Sequence, residues 1–267
     1  MAAGYHGLMM VIMTTTMTRV SLSKGPLDHP RDCLELKEKF GEDCDGVYSV
    51  WLADKLGSKV GSTCTEQEVK VYCNMTTDGG GWMVFQRREI DENTPATDFY
   101  LDWDAYRNGF GYFRGEFWLG NENLHQLTAG RRHTLRIELG DFEGNTSYAT
   151  YDDFKIGSEN DNYTLSSVGS YDGTAGDSLS RHVGRKFSTA DADNDDWENC
   201  NCALKHQAAW WYHNCSESNL NGQSHGVETG EFSSHIAGIE WQAWRGFDYS
   251  LKTSAMMVKP VVSDTDQ

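Results

Sequence analysis

Alternation of apolar and polar positions is the strongest signal along this chain. GVYSVWL (46–52) and EVKVYC (68–73) set β-branched or aromatic residues against polar ones and read as short strands. WMVFQRR (82–88) is an apolar run that turns amphipathic at its end, a buried strand entered from the glycine turn DGGG (78–81). No Lys-Ser/Thr ending and no helical pattern follow those glycines, so a phosphate loop is excluded. Thr134 to Leu139, TSYATYDDFKIG (146–157) and YTLSSVGSYDG (163–173) give three more strands, and SAMMVKP (254–260) a last one that should return to the sheet. Turn residues separate these runs, which predicts antiparallel pairing. Helical signals are few: RDCLELKEKF (31–40), with Leu34 and Leu36 among charges and Gly41 as the stop, and NENLHQLT, which closes an aromatic-dense stretch from Asp98 to Leu127. There is no internal repeat and no low-complexity block.

Composition narrows the class. A chain of 267 residues with 38% hydrophobic positions, Gly 27 and Pro 4 is a loop-rich globular protein long enough for one large domain or two small ones. With 23 Lys+Arg against 40 Asp+Glu, the net charge of -17 repels phosphate backbones and anionic lipid, so nucleic acid is excluded as a partner. The same acidity suits a divalent cation. Gly7 to Met13 is apolar but short and has no basic residue before it, so residues 1–30 are expected to be a leader or N-terminal tail. No run approaches the ~20 apolar residues of a membrane span.

Seven cysteines fall into two groups, Cys33, Cys44, Cys64 and Cys73 near the start and Cys200, Cys202 and Cys215 later. This spacing suggests two local disulfide frameworks in an oxidising compartment. Cys33 with Cys73 would tie the first helix to the second strand, and Cys44 with Cys64 would close the hairpin between. Cys200 is the one left over. Sequons at Asn74, Asn145 and Asn162 agree with secretion, and a fourth, Asn214-Cys215-Ser216, lies in the later group.

The chemistry concentrates between Phe187 and Gly222. Asp191, Asp193 and Asp195 alternate there, with Asn194 and Asp196 among them, a pattern that brings carboxylates to one point as a Ca²⁺ shell of oxygen ligands requires. The EF-hand is excluded, because counting from Asp191 its glycine position is Asp196 and its glutamate position Cys202. A solvated acidic turn is the alternative. Cys202 and Cys215 bracket ALKHQAAWWYHN, and a disulfide there would clamp an aromatic loop beside the ion. Trp210, Trp211 and Tyr212 are core residues by default, although such rings also line ligand pockets. A zinc site from Cys200, Cys202, His206 and His213 fails, since C-x-C-x3-H-x6-H matches no finger spacing.

CNMTTDGGGWMVFQRR, GEFWLGNENLHQLT, FSTADADND, AWWYHNCSESNLNG and the closing MMVKP, in that order, resemble a fibrinogen C-terminal-type domain, nearest to the secreted lectins of the ficolin and tachylectin type. The resemblance covers residues 31–262 and leaves 263–267 as a tail. It implies an α+β fold: a small N-terminal subdomain, a central antiparallel sheet, and a loop-rich C-terminal subdomain holding Ca²⁺ and a ligand pocket. It assigns the ion to the side chains of Asp193 and Asp195 and the carbonyls of Trp197 and Asn199. One extra residue before Asn201-Cys202 shifts those carbonyls to Glu198 and Cys200 if counted back from the pair.

The resemblance also implies a site for acetyl groups beside Cys202 and Cys215, with a cis peptide between Asn214 and Cys215 and the amides of Cys215 and Ser216 turned to the ligand. The matching wall positions are Ser216, His206, His235 and Phe247, with Ile236 in place of a small residue. These walls depart from the aromatic lining of the acetyl-binding lectins. If His206 and His235 line the pocket, binding weakens as pH falls through about 6 to 7, where imidazoles charge.

The expected function is a secreted, Ca²⁺-dependent lectin binding acetylated glycans on microbial surfaces, with avidity from a homo-oligomer formed through domain faces, Cys200 or the N-terminal tail. A protein-binding ligand or matrix module acting on a receptor is the alternative. An enzyme is not expected, for want of G-x-S-x-G, H-E-x-x-H or a P-loop.

Overall fold

The computed structural model describes residues 29–53, 66–89, 96–223 and 238–262. The expected leader, the tail 263–267, Cys64, His235 and Ile236 therefore lie outside the described residues, apart from positions 29 and 30.

Helix α1, Cys33–Phe40, starts where the Asp32 carboxylate accepts from the Glu35 amide and ends at Gly41, whose φ of 73° supplies the left-handed cap. Strands β1 (Gly46–Ala53) and β2 (Glu66–Asn74) form an antiparallel hairpin, and the Cys33–Cys73 disulfide ties α1 to β2 with Cα atoms 5.6 Å apart. Cys44 is an exposed free thiol, so the expected Cys44–Cys64 bond needs correction. Gly46 pairs with Cys73 at one end of the ladder and Ala53 with Glu66 at the other, seven steps or about 23 Å away. Cys44 lies just before the first of these ends, and Cys64 lies outside the described residues.

Next come β3 (Trp82–Glu89), α2 (Trp103–Asn108), the short β4 (Phe110–Gly111) and β5 (Phe117–Trp118), and α3 (Asn121–Ala129). They are followed by β6 (His133–Gly140), β7 (Thr146–Tyr151), β8 (Lys155–Ile156), β9 (Leu165–Ser167) and β10 (Tyr171–Gly173). The C-terminal part holds α4 (Cys202–His206), β11 (Ser218–Asn219), β12 (Glu240–Trp241), α5 (Gln242–Arg245) and β13 (Thr253–Pro260).

Among the described residues the main sheet runs β1-β2-β3-β13-β6-β7-β10, all antiparallel, with β5 also on β3 and β4 on β5. The last strand thus returns to the sheet at its centre, between β3 and β6. YTLSSVGSYDG, expected as one strand, divides into β9 and β10 in different sheets. Gly169 makes the break: its φ is 74°, and a Cβ there would collide with the Asp152 carboxylate and Asp153.

The sheet meets the C-terminal part through rings. Trp118 stacks on Phe187 at 5.9 Å, and Phe187 packs edge-on to Trp211 at 5.3 Å. Trp210, Trp211 and Tyr212 are all fully buried, so they are core. A buried Arg88–Glu116 pair adds a polar tie, with Arg88 donating to the carbonyls of Leu220 and Gly222.

Candidate functional site

The site is assembled by a chain of local hydrogen bonds. Asn201 caps α4 by accepting from the Leu204 amide at 2.8 Å, and Cys202, the first helical residue, is bonded to Cys215 with Cα atoms 5.6 Å apart. The Asn214–Cys215 peptide is cis. Within the loop the His213 amide donates to the Cys215 carbonyl at 2.7 Å.

The acidic run is wired directly into this loop. Asp195 accepts from the Cys202 amide and from the Trp197 amide, each at 2.7 Å, and the Asp196 amide donates to the His213 carbonyl at 3.2 Å. The acids divide by partner. Asp191 accepts from the Trp103 amide and the Thr189 hydroxyl, and Asp196 pairs with Arg185. Asp193 and Asp195 remain facing each other. Burial, and after it the two amide bonds, act on the Asp195 carboxyl with opposite sign, and the neighbouring Asp193 helps push its pKa up.

Two hard carboxylates crowded together are a donor set that fits Ca²⁺. Among the described residues no three His, Cys, Asp or Glu side chains converge as a metal cluster, so carbonyls and water would have to complete any shell. Trp197 and Asn199 lie in the tight turn closed by the Cys200 amide on the Trp197 carbonyl at 3.1 Å. The zinc alternative is closed, because Cys202 is disulfide-bonded.

Beside the disulfide opens a cavity of about 370 Å³. Asn214, Ser216 and Phe247 line it, and half-buried Cys215 lies between the first two in sequence. Arg181, His182, Arg185, His213, Glu217 and Gln242 complete the wall. Sequence reasoning missed these six as wall residues. Arg181, His182 and Arg185 come from a 3-10 turn and its continuation some thirty residues upstream, and no motif marks them.

His182 acts as a strut. Its Nδ1 donates to the Trp211 carbonyl at 2.7 Å, and its Nε2 accepts from the amides of Glu217 and Ser218 at 3.2 and 3.3 Å. Only a neutral imidazole can do both, and burial holds its pKa down at about 4. The arginines are paired across the wall, Arg181 with Glu217 at 2.7 Å and Arg185 with Asp196, while the buried Nε of Arg185 has no partner among the described residues.

His206 does not join the lining. It is buried at the end of α4, stacked on Tyr212 with ring centroids 5.8 Å apart, and burial lowers its pKa to about 4. The expected loss of binding between pH 6 and 7 is therefore not one His206 can produce. A second cavity of about 400 Å³ lies on the main sheet, but its arginines are committed, Arg87 over the Tyr72 ring and Arg136 over Tyr148 and to Glu138.

The family model described as the C-terminal globular domain of fibrinogen beta and gamma chains matches residues 29–261. The chain belongs to that family. Over 236 residues this fibrinogen C-terminal domain is 46% identical to fibrinogen C domain-containing protein 1-A of Xenopus laevis, covering 86% of the chain and 47% of the relative. It is 43% identical to human tenascin-R over 232 residues, 87% of the chain and 15% of that protein. The chain thus spans about half the length of the first relative and a small part of the second. Among solved structures, the fibrinogen-like globe domain of human ANGPTL6 aligns with a TM-score of 0.76 at 37% identity, over 91% of this chain and 100% of that one.

Proposed function

We propose that this fibrinogen C-terminal domain is an extracellular binding module whose ligand site is the cavity beside Cys202–Cys215, and that it acts as a Ca²⁺-dependent lectin for acetylated glycans on microbial surfaces. The observation that carries the reading is the wiring of Asp195 and Asp196 into the Cys202–Cys215 loop, which couples an acidic pair to the wall of a cavity. Two disulfides among the described residues support an oxidising compartment.

When bound, Ca²⁺ supplies the positive charge that Asp193 and Asp195 share. The chain's own groups do the rest. Asp195 holds the start of α4, and His182 holds Glu217 and Ser218 next to Ser216 in the cavity wall. Phe247 offers the apolar contact that an acetyl methyl needs.

Binding to a glycan array and to acetylated albumin, with Ca²⁺ and with chelator, tests the reading in the wild type and in Asp193→Ala. Chelator-sensitive binding that Asp193→Ala abolishes is the expected result. A Ca²⁺-loaded, folded protein that binds no acetylated or glycan probe overturns it.

One observation favours a second reading. The Arg181–Glu217 and Arg185–Asp196 pairs, although internally matched, make the rim of the wall polar, as suits the surface of a protein partner, the ligand or matrix role. Competition separates the two: free glycans displace the ligand of a lectin and leave a protein partner in place.

A further inference from the structure

Of the four sequons, the sequence alone favours none of the first three, and the structure separates them. Asn74 is half-buried at the end of β2, and its side chain builds the following turn: Oδ1 accepts from the Thr76 and Thr77 amides at 3.1 and 2.9 Å, and Nδ2 donates to the Thr77 hydroxyl at 2.9 Å. Asn162 is half-buried in left-handed backbone, φ 51°, next to fully buried Tyr163. Asn214 is exposed but lines the candidate cavity, and the next residue is bonded to Cys202. Asn145 is different. It is exposed at the tip of the β6–β7 hairpin, between the exposed residues Gly144 and Thr146.

The hairpin tip does not depend on a free Asn145 side chain. The Asn145 amide donates to Asp141 Oδ1 at 2.7 Å, the Asp141 amide donates back to the Asn145 carbonyl at 3.0 Å, and Arg245 pairs with Asp141 from outside. The side chain adds one bond, Nδ2 to Asp141 Oδ2 at 2.9 Å, which uses one of its two hydrogens. The other can be replaced without losing any of these contacts.

From this geometry we infer that Asn145 carries an N-linked glycan, and that Asn74, Asn162 and Asn214 do not. The inference rests on the extracellular reading, because the donor is the lipid-linked diphospho-oligosaccharide of the secretory pathway. The bond from sugar C1 to Nδ2 forms as the bond from C1 to the diphosphate oxygen breaks. The lipid diphosphate leaves, and the amide proton passes to a base of the transferase. The glycan stands at the rim of the sheet cavity, which Thr146, Ser147 and Tyr148 line, and leaves the Cys202–Cys215 cavity clear.

The test is secretion of the full chain from eukaryotic cells behind a secretory leader, so that entry to the pathway is not itself in question. Glycosidase treatment of protein recovered from the medium should give one mobility shift, lost entirely in Asn145→Gln. Peptide mapping of the wild type should find conversion to Asp at position 145, a readout that needs no variant to fold. Secreted protein without a shift, or with conversion at another sequon, overturns the inference. Glycan binding by the same protein reports separately on the lectin reading.

Discussion

The two disulfides bring their Cα atoms to the same 5.6 Å, yet they belong to regions built on different principles. Cys33 and Cys73 are fully buried and join a capped helix to a regular strand, where backbone ladders already satisfy the polar groups. Cys202 is equally buried, but Cys215 is half-exposed, and the loop between them and its flanks are held by side chains bonded to backbone: Asp195 on Cys202 and Trp197, His182 on Trp211, Glu217 and Ser218. The first bond holds elements that the sheet also holds. The second holds a surface that no regular ladder spans, beside the buried Trp210, Trp211 and Tyr212. Stability and binding should therefore respond differently in the two regions.

Removing the bonds breaks the comparison most directly. The Cys33–Cys73 bond spans 40 residues and the Cys202–Cys215 bond 13, so by loop entropy the first contributes about 4 kcal/mol and the second about 3 kcal/mol. Urea unfolding of Cys33→Ser/Cys73→Ser should show the larger loss, with ligand binding kept by the folded fraction. Cys202→Ser/Cys215→Ser should lose binding in urea-free buffer while the main sheet persists by circular dichroism. Equal loss of binding in both would show that the site is not locally held.

Acid sharpens the same contrast. The His182 pKa is held at about 4 by burial, below the ordinary 6.5, so its contribution to stability is full above pH 6.5 and is lost as pH falls from there to 4. That loss is on the order of 3 kcal/mol for this one group. His133 and His206, also held at about 4, add to the acid limb from the sheet and from α4. His182→Gln, which keeps an acceptor that cannot charge, should flatten the limb between pH 7 and 4.5 while costing about 1 to 3 kcal/mol at neutral pH through poorer bonds to the buried amides. Urea midpoints across that range check both effects.

Glu240 gives the opposite sign. Burial is the main cause that raises its pKa to about 7, with Asp248 adding to it. Its contribution is full below the ordinary 4.5 and is lost as pH rises through 7. Glu240→Gln should therefore stabilise the protein at pH 8, by up to ~3 kcal/mol, and leave it unchanged near pH 4. Thermal melts at the two pH values measure the difference, and an equal change at both would show that charge is not the cause.

Legibility followed the same division. The regular region could be read because its signals are local: alternation in 46–52 and 68–73, and the stop at Gly41. The expected Cys44–Cys64 pairing fails at Cys44, an exposed free thiol, because nearness in sequence stood in for geometry. In the irregular region the acidic run and the Cys202–Cys215 loop stood out by composition. Arg181, His182, Arg185 and Gln242 did not, since each is an ordinary loop or helix residue until the chain folds back. His206 was misplaced for the converse reason: a short helix turns it inward onto Tyr212.

The sequence by itself determined most strands, the first helix and the family, and marked 187–222 as the candidate stretch, because periodicity, stops and dense motifs are properties of neighbouring residues. Only the tertiary structure decided that the last strand enters the sheet between β3 and β6, that Asp193 and Asp195 face each other while Asp191 and Asp196 are drawn off to Trp103 and Arg185, and that His182 carries the turn at Glu217. Those outcomes depend on which distant groups satisfy a buried amide or carboxylate, and that competition is settled by packing in three dimensions.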